Sequence, residues 1–243
     1  STDLTLLDNF HFSVDQQKLL CFLFVASSGI KLPSFPLAIW LPEVHSEAST
    51  VGSIVLAGIL LKLGIYGLLR FTLNLLPIGI QWISPLVFYI TPTGYTTASI
   101  NCLRQYDLKR LIAYSSISHM NSCISFLFTL NVWGLMSCIV MAVAHLLSSS
   151  ALFLIAGYIY SRTHSRNLFF SQALIHCYPG FSRFMFTLLL ANISFPGTIN
   201  FLGELLGIIA LAFIDWSLLT LVLLNVLLTE PGERLFNPTF GVG

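Results

Sequence analysis

Apolar residues run in long blocks along the chain, separated by short polar stretches. A helix that crosses a bilayer needs about 20 mainly apolar residues. Six blocks meet or approach that length: residues 16–39, 50–71, 82–103, 108–130, 132–161 and 184–213. A seventh, 216–229, is shorter. Three blocks carry helix-breaking residues: Pro33 and Pro36 in the first, Pro92 and Gly94 in the third, and Phe195-Pro196-Gly197-Thr198 in the sixth. Proline removes a backbone donor and opens the helix. At membrane depth such a break is tolerated where it lines a wet cavity. The pattern predicts an all-α, polytopic transmembrane helix bundle of about six to seven spans, with breaks at Pro33, Pro36 and Pro196. Residues 1–15 read as an N-terminal extramembrane segment, 16–229 as one membrane domain and 230–243 as a tail without periodicity.

Composition points the same way. Only 9% of the 243 residues are charged and 56% are hydrophobic, whereas soluble domains carry about 25% charged residues. The mean hydropathy is +0.84. So few charges cannot cover a water-facing surface, which makes lipid the main solvent and partner. A net charge of +1 argues against nucleic acid. Cys21, Cys102, Cys123, Cys138 and Cys177 show no metal-ligand spacing and read as small buried thiols. The N-terminus lacks a basic region followed by an apolar stretch, so it does not read as a signal peptide, and it lacks an initiator Met. Processing of the chain or a fragment of a longer one accounts for the missing Met.

The positive charges are one-sided. Arg104, Lys109, Arg110, Arg162, Arg166 and Arg183 fall on one side of this threading. Lys18 and Arg70, with Asp3, Asp8, Asp15 and Asp215, fall on the other. The basic side is therefore the cytoplasm or, in an organelle, the matrix.

Ionisable groups inside spans cost about 2.5–3.5 kcal/mol each at a helix centre, so each needs a reason. Lys31 precedes the first pair of prolines, Lys62 lies near the centre of the second span, and Glu204 follows the Pro196-Gly197 break. His119 and His145 occupy the next-to-central spans among serines, and histidine exchanges protons near neutral pH. Buried ion pairs and interhelical hydrogen bonds are the structural alternatives for these groups. Haem is a poor reading, because a two-haem cytochrome needs more than the single histidine pair available. Glu43, His45 and Glu47 stand where the first two spans meet on the basic side, as a candidate point of proton uptake. His164 and His176 in a basic loop carry no such signal. No phosphate loop, GxSxG elbow or HExxH motif is present, so covalent catalysis and nucleotide binding find no support. The residues point to a protein that moves protons through buried side chains.

Several runs carry a family resemblance: Trp40-Leu41-Pro42-Glu43-Val44-His45-Ser46-Glu47, Leu60-Leu61-Lys62-Leu63-Gly64-Ile65-Tyr66-Gly67, Leu103-Arg104-Gln105-Tyr106-Asp107-Leu108-Lys109 with Ile112-Ala113-Tyr114-Ser115-Ser116, and Pro196-Gly197-Thr198-Ile199-Asn200-Phe201-Leu202-Gly203-Glu204. Over residues 16–214 the chain resembles the subunit 4 family of respiratory complex I, within the antiporter-like proton-translocating subunits. Arg162-Thr163-His164-Ser165-Arg166 resembles the mitochondrial versions. The resemblance implies a fourteen-helix fold in two inverted halves, each with one broken helix, of which this chain corresponds to helices seven to about thirteen. It implies Lys31 as the first-half channel lysine, Lys62 as the central lysine, His119 and His145 as relay histidines, and Glu204 as the terminal carboxylate.

The same resemblance implies an inner mitochondrial membrane, basic loops facing the matrix, other membrane-arm subunits as partners, and no cofactor on this chain. FMN, iron-sulfur clusters and ubiquinone would sit elsewhere in the complex. The family pairs its first-half lysine with a glutamate on the fifth helix, ahead of this chain. A separate chain supplying the first six helices, or an incomplete chain, accounts for that. Leu146 and Ile65 stand where the family has glycine. Two lysines about 7 Å apart at an effective dielectric near 20 repel by roughly 2.4 kcal/mol, enough for one protonation to expel the next proton. A cation/proton antiporter subunit and a non-pumping scaffold are the alternative functions.

Overall fold

The computed structural model describes residues 7, 10, 12–167, 178–214 and 220. The predicted segment 216–229 apart from residue 220, the tail 230–243, Asp3, Asp8, Asp215, His176 and Cys177 lie outside the described residues. Among the described residues the helices run in the order α1 (Val14–Lys31), α2 (Trp40–Glu47), α3 (Thr50–Leu75), α4 (Pro77–Cys102), α5 (Leu108–Leu127), α6 (Val132–Thr163), α7 (Pro179–Asn192) and α8 (Ile199–Ala212). By length and hydropathy alone, α3 and α6 qualify as single membrane-crossing helices among the described residues, and α8 is a shorter apolar helix. The sixth predicted span is divided, as α7–α8; in the first the helix ends at Lys31 and resumes as α2 only beyond the predicted end at residue 39; α5 is rich in serine.

The first break follows Lys31, where Pro33 and Pro36 follow closely. The chain resumes as α2 and runs on to Glu47, eight residues past the predicted end of that span, so Glu43, His45 and Glu47 are helical. The second break covers the stretch between Asn192 and Ile199, where Ser194 and Gly197 have φ of 60° and 102°. Only glycine accepts the latter readily, and Thr198 then caps α8 by accepting from the Phe201 amide. The predicted interruption at Pro92 and Gly94 is different. There α4 continues unbroken through both residues. Gly94 serves close approach instead, since a Cβ there would lie 2.8 Å from Asn121 Oδ1.

Asn121 explains how the first break is held. Its Nδ2 donates to the Pro33 carbonyl at 3.1 Å and to the Ile117 carbonyl at 2.8 Å. At the second break Asn200 Nδ2 donates to the Ala191 carbonyl at 2.8 Å. Each broken helix thus has a carbonyl, orphaned by the break, satisfied by an asparagine amide. Asn121→Leu is expected to destabilise the fold by about 1–3 kcal/mol through the unsatisfied Pro33 carbonyl. A lowered thermal denaturation midpoint in the solubilised protein is the readout.

Helix α5 is the centre of the bundle, packed against α2, α4, α6 and α8. Every residue of it except Arg110 and Tyr114 is buried. So polar a helix can be enclosed because Ser115, Ser116, Ser118, Ser122 and Ser125 each donate to a carbonyl of α5 itself. The basic residues gather at one end of the bundle. Lys109 Nζ donates to the Ala48 carbonyl at 2.7 Å, Arg166 to the Ser46 carbonyl, and Leu108 N to the Arg166 carbonyl at 3.1 Å. At the opposite end Gln17 of α1 accepts from the Ile78 amide of α4 at 3.3 Å. Cys21, Cys102, Cys123 and Cys138 are buried and form no disulfide.

Candidate functional site

Four helices bring four ionisable side chains into one row. Lys62 enters from α3, where the helix widens into π-helical turns at Leu56–Leu60 and again at Leu68–Thr72. Such widened turns disturb the regular carbonyl register and recur at functional sites. Here the Ala57 carbonyl accepts from Lys62 Nζ at 2.6 Å. The same Nζ lies 2.9 Å from His145 Nδ1 on α6. One proton is shared between them: an ammonium donates to the bare ring nitrogen, or Nδ1–H donates to a neutral amine.

His145 is fully buried, and its carbonyl accepts from Ser149 Oγ at 2.6 Å. Its ring nitrogen Nε2 has no hydrogen-bond partner among the described residues. The His119 ring of α5 lies 5.5 Å from the His145 ring, centroid to centroid, tilted by 55°. His119 Nδ1 lies 3.5 Å from Glu204 Oε1 on α8, and both side chains are buried. The row therefore reads Lys62, His145, His119, Glu204, with one neighbour on each side of the two histidines. Lys62, His119 and His145 precede the second break in the chain, and Glu204 follows it.

Glu204 is placed by close helix contact. Ser137 Oγ of α6 donates to the Gly203 carbonyl at 2.5 Å, and a Cβ on Gly203 would lie 3.0 Å from Met141 Cβ. A glycine beside the carboxylate thus lets α8 approach α6 closely. Ile65 and Leu146, which stand where the resemblance leads one to expect glycine, cause no break in α3 or α6.

Lys31 stands apart from the row. It closes α1, is exposed on the outer surface of the chain, and shares clefts with Ser27, Leu60, Leu61, Leu63 and Gly64. No hydrogen bond or ion pair joins its side chain to another described residue. The three candidate uptake residues are also separated. His45 is fully buried and stacks on Phe153 with ring centroids 4.4 Å apart, while Glu43 and Glu47 point outward from the same short helix. Pro33 is buried under Asn121, whereas Pro36 and Pro196 are exposed. Among the described residues no group of three or more His, Cys, Asp or Glu side chains is arranged to hold a metal ion.

Sequence reasoning missed Asn121, Asn200, Ser137 and the widened turns around Lys62. The asparagines were visible as amides inside apolar blocks, and each needs a partner as surely as a charge does. The widened turns leave no mark in the residue pattern.

The chain matches the family described as NADH:quinone oxidoreductase/Mrp antiporter, TM, over residues 1–229. NADH-ubiquinone oxidoreductase chain 4 of Chondrus crispus is 43% identical over 210 residues, which are 86% of this chain and 43% of that protein. The chain thus spans less than half the length of the curated relatives it matches. A chain of respiratory complex I from Thermus thermophilus superposes with a TM-score of 0.90 at 25% identity, over 99% of this chain and 52% of that one. A chain of the Mrp complex from Dietzia sp. has the same fold, with a TM-score of 0.81 at 22% identity over 92% of this chain and 25% of that one. A bundle with two divided helices and a Lys–His–His–Glu row whose histidines and glutamate are buried, matched by sequence over nearly its whole length, thus belongs to the NADH:quinone oxidoreductase/Mrp antiporter transmembrane family.

Proposed function

We propose that this chain carries protons across a membrane as part of the membrane arm of an NADH:ubiquinone oxidoreductase. The observation that carries this reading is the row itself, with Lys62 2.9 Å from His145 at one end and His119 3.5 Å from Glu204 at the other. Isolated buried charges are explained by packing. Four exchangeable groups in sequence across four helices, at a cost of about 2.5–3.5 kcal/mol for each charge at membrane depth, are better explained by transfer. His145 Nδ1 faces Lys62 and its Nε2 has no partner among the described residues, so a ring rotation or a bridging water completes the step to His119, whose ring lies 5.5 Å away. The work per charge is about 2.3 kcal/mol for each 100 mV, within reach of electrostatic coupling between neighbouring groups.

In this reading Lys31 belongs to the first half-channel, and a glutamate from a separate chain supplying the first six helices pairs with it. Its exposure on the outer surface of this chain supports that assignment. Glu43, His45 and Glu47 form an entry point for protons at the basic end. The basic loops face the matrix of the mitochondrion, the chain sits in the inner membrane among other membrane-arm subunits and lipid, and FMN, iron-sulfur clusters and ubiquinone reside on other subunits. A cation/proton antiporter is the second reading, supported by the fold shared with the Mrp complex. The 43% identity to chain 4 of an NADH-ubiquinone oxidoreductase favours the first.

Glu204→Gln tests the reading. The amide keeps the shape and removes the exchangeable carboxylate beside His119. Proton transport by the assembled complex in vesicles is expected to fall at least tenfold, with assembly unchanged on native gels. Normal transport in that variant would leave the row as packing. Mass spectrometry of the same native complex identifies whether another membrane chain supplies the front helices.

A further inference from the structure

A cavity of about 180 Å³ lies between α1, α4 and the first break. Buried Leu68, Ile83 and Ile124 form its floor, and exposed Phe22, Ala26 and Leu86 edge its mouth. Apolar cavities of about 150 Å³ stay dry and take up benzene or xenon, so this one has room for a segment of hydrocarbon. Ser34 and Pro36 of the first break belong to the same wall. The wall's hydroxyl protons are committed: Ser28 Oγ donates to the Val25 carbonyl at 3.0 Å, Ser34 Oγ to the Gly29 carbonyl at 3.2 Å and Thr91 Oγ1 to the Val87 carbonyl at 2.9 Å. No charged side chain among the described residues lines it. Such walls suit a hydrocarbon chain and disfavour an ion or a polar ring.

Depth and flanking residues decide which hydrocarbon. Helices α1 and α4 both start at the end opposite the basic one, where Gln17 meets Ile78. At 1.5 Å per residue, Phe22 and Gly29 lie about 12 and 22 Å along α1, and Ile83 and Thr91 about 9 and 21 Å along α4. The cavity therefore spans the hydrocarbon of one leaflet, about 15 Å or half of a core of about 30 Å. Lys18 stands four residues before Phe22, and Trp82 four before Leu86, on the same helix faces as those mouth residues. They lie about 6 and 8 Å along their helices, at headgroup level. Lys18 is half-exposed and makes no ion pair with a described carboxylate. A lysine whose ammonium reaches the interface and a tryptophan at the same level are usual neighbours of phospholipid headgroups.

We propose that this cavity is a phospholipid site, in which one acyl chain of the leaflet opposite the basic end enters between Phe22 and Leu86 and the phosphate pairs with Lys18. The bound chain braces the first break from outside, as the Asn121 amide braces it from within through the Pro33 carbonyl. The site stands on an apolar cavity and its flanking cation, and it does not depend on proton transfer through the row.

The test uses the assembled complex in vesicles that contain a phosphatidylglycerol with a diazirine on one acyl chain, or a diacylglycerol with the same chain. After illumination, peptide mapping is expected to find the stretches Phe22–Gly29 and Ile83–Ile90 labelled by phosphatidylglycerol at least fivefold more than the exposed face of α6 at Val132, Met136 and Val143, which measures ordinary lipid contact. Phosphatidylglycerol is expected to label those two stretches at least threefold better than diacylglycerol, and Lys18→Gln to remove that preference. Ala26→Trp fills the mouth and is expected to lower the labelling at least fivefold, with assembly unchanged on native gels. Leu86→Trp fills it from the facing helix and gives the same result where Ala26→Trp does not assemble. Labelling no greater than that of α6, or labelling that both tryptophans leave unchanged, would overturn the site. Equal labelling by the two lipids would overturn it too, because the phosphate would then contribute nothing. A cross-link from the cavity to another protein chain in place of lipid would make the occupant a partner's helix and end the proposal.

Discussion

Lys62→Ala is expected to abolish proton transport while leaving the complex assembled. The two sides of the energetics nearly cancel. Removing the amine leaves the Ala57 carbonyl and His145 Nδ1 without the partner they have at 2.6 and 2.9 Å, and an unsatisfied buried group costs about 1–3 kcal/mol. The same substitution removes the penalty of keeping a lysine at membrane depth, about 2.5–3.5 kcal/mol. Stability is therefore expected to change little, whereas the first member of the row is gone. Lys62→Arg sharpens the result. Arginine keeps the charge but does not release its proton in proteins, so transport is expected to fail there as well. Transport by Lys62→Arg near the level of the unaltered complex, measured as acidification of vesicles, would show that Lys62 supplies charge and not proton exchange.

Gly203→Leu is expected to have the second largest effect, and on both structure and transport. A Cβ alone would stand 3.0 Å from Met141 Cβ and 3.1 Å from its Cα, atoms at or next to the backbone and not the far end of a flexible side chain. The rest of a leucine has nowhere to go unless α8 moves off α6. That motion breaks the Ser137–Gly203 hydrogen bond of 2.5 Å and carries Glu204 away from His119, already at 3.5 Å. Overpacking of this kind costs about 1–3 kcal/mol or more. Loss of assembled complex on native gels is the expected readout, and whatever assembles is expected to transport poorly. Unchanged assembly with unchanged transport would mean that α8 is not fixed by this contact.

Much of this is legible in the amino-acid sequence. Pro33, Pro36 and Pro196-Gly197 mark the breaks because proline lacks a donor and Gly197 adopts a positive φ. Pro92 carries the same signal and misleads, because α4 passes through it with Thr91 Oγ1 bonded to the Val87 carbonyl at 2.9 Å and Thr96 Oγ1 to the Pro92 carbonyl at 3.1 Å. Whether a proline breaks a helix depends on its neighbours, and in α4 the neighbouring threonines bond to nearby helix carbonyls. Gly94, beside it, answers to Asn121 on another helix altogether.

The sequence by itself determined the solvent, the approximate crossings, the one-sided positive charge and the short roster of ionisable groups at membrane depth, because each follows from composition or local pattern. Tertiary structure decided the order within the roster. Lys62 and His145 are 83 residues apart in the chain and 2.9 Å apart in space, and nothing local specifies that. It also set Lys31 outside the row, turned His45 inward against Phe153 while Glu43 and Glu47 face out, and assigned Asn121 and Asn200 to the carbonyls of the two breaks. Those outcomes depend on the rotation and approach of whole helices, which are fixed by packing between distant segments.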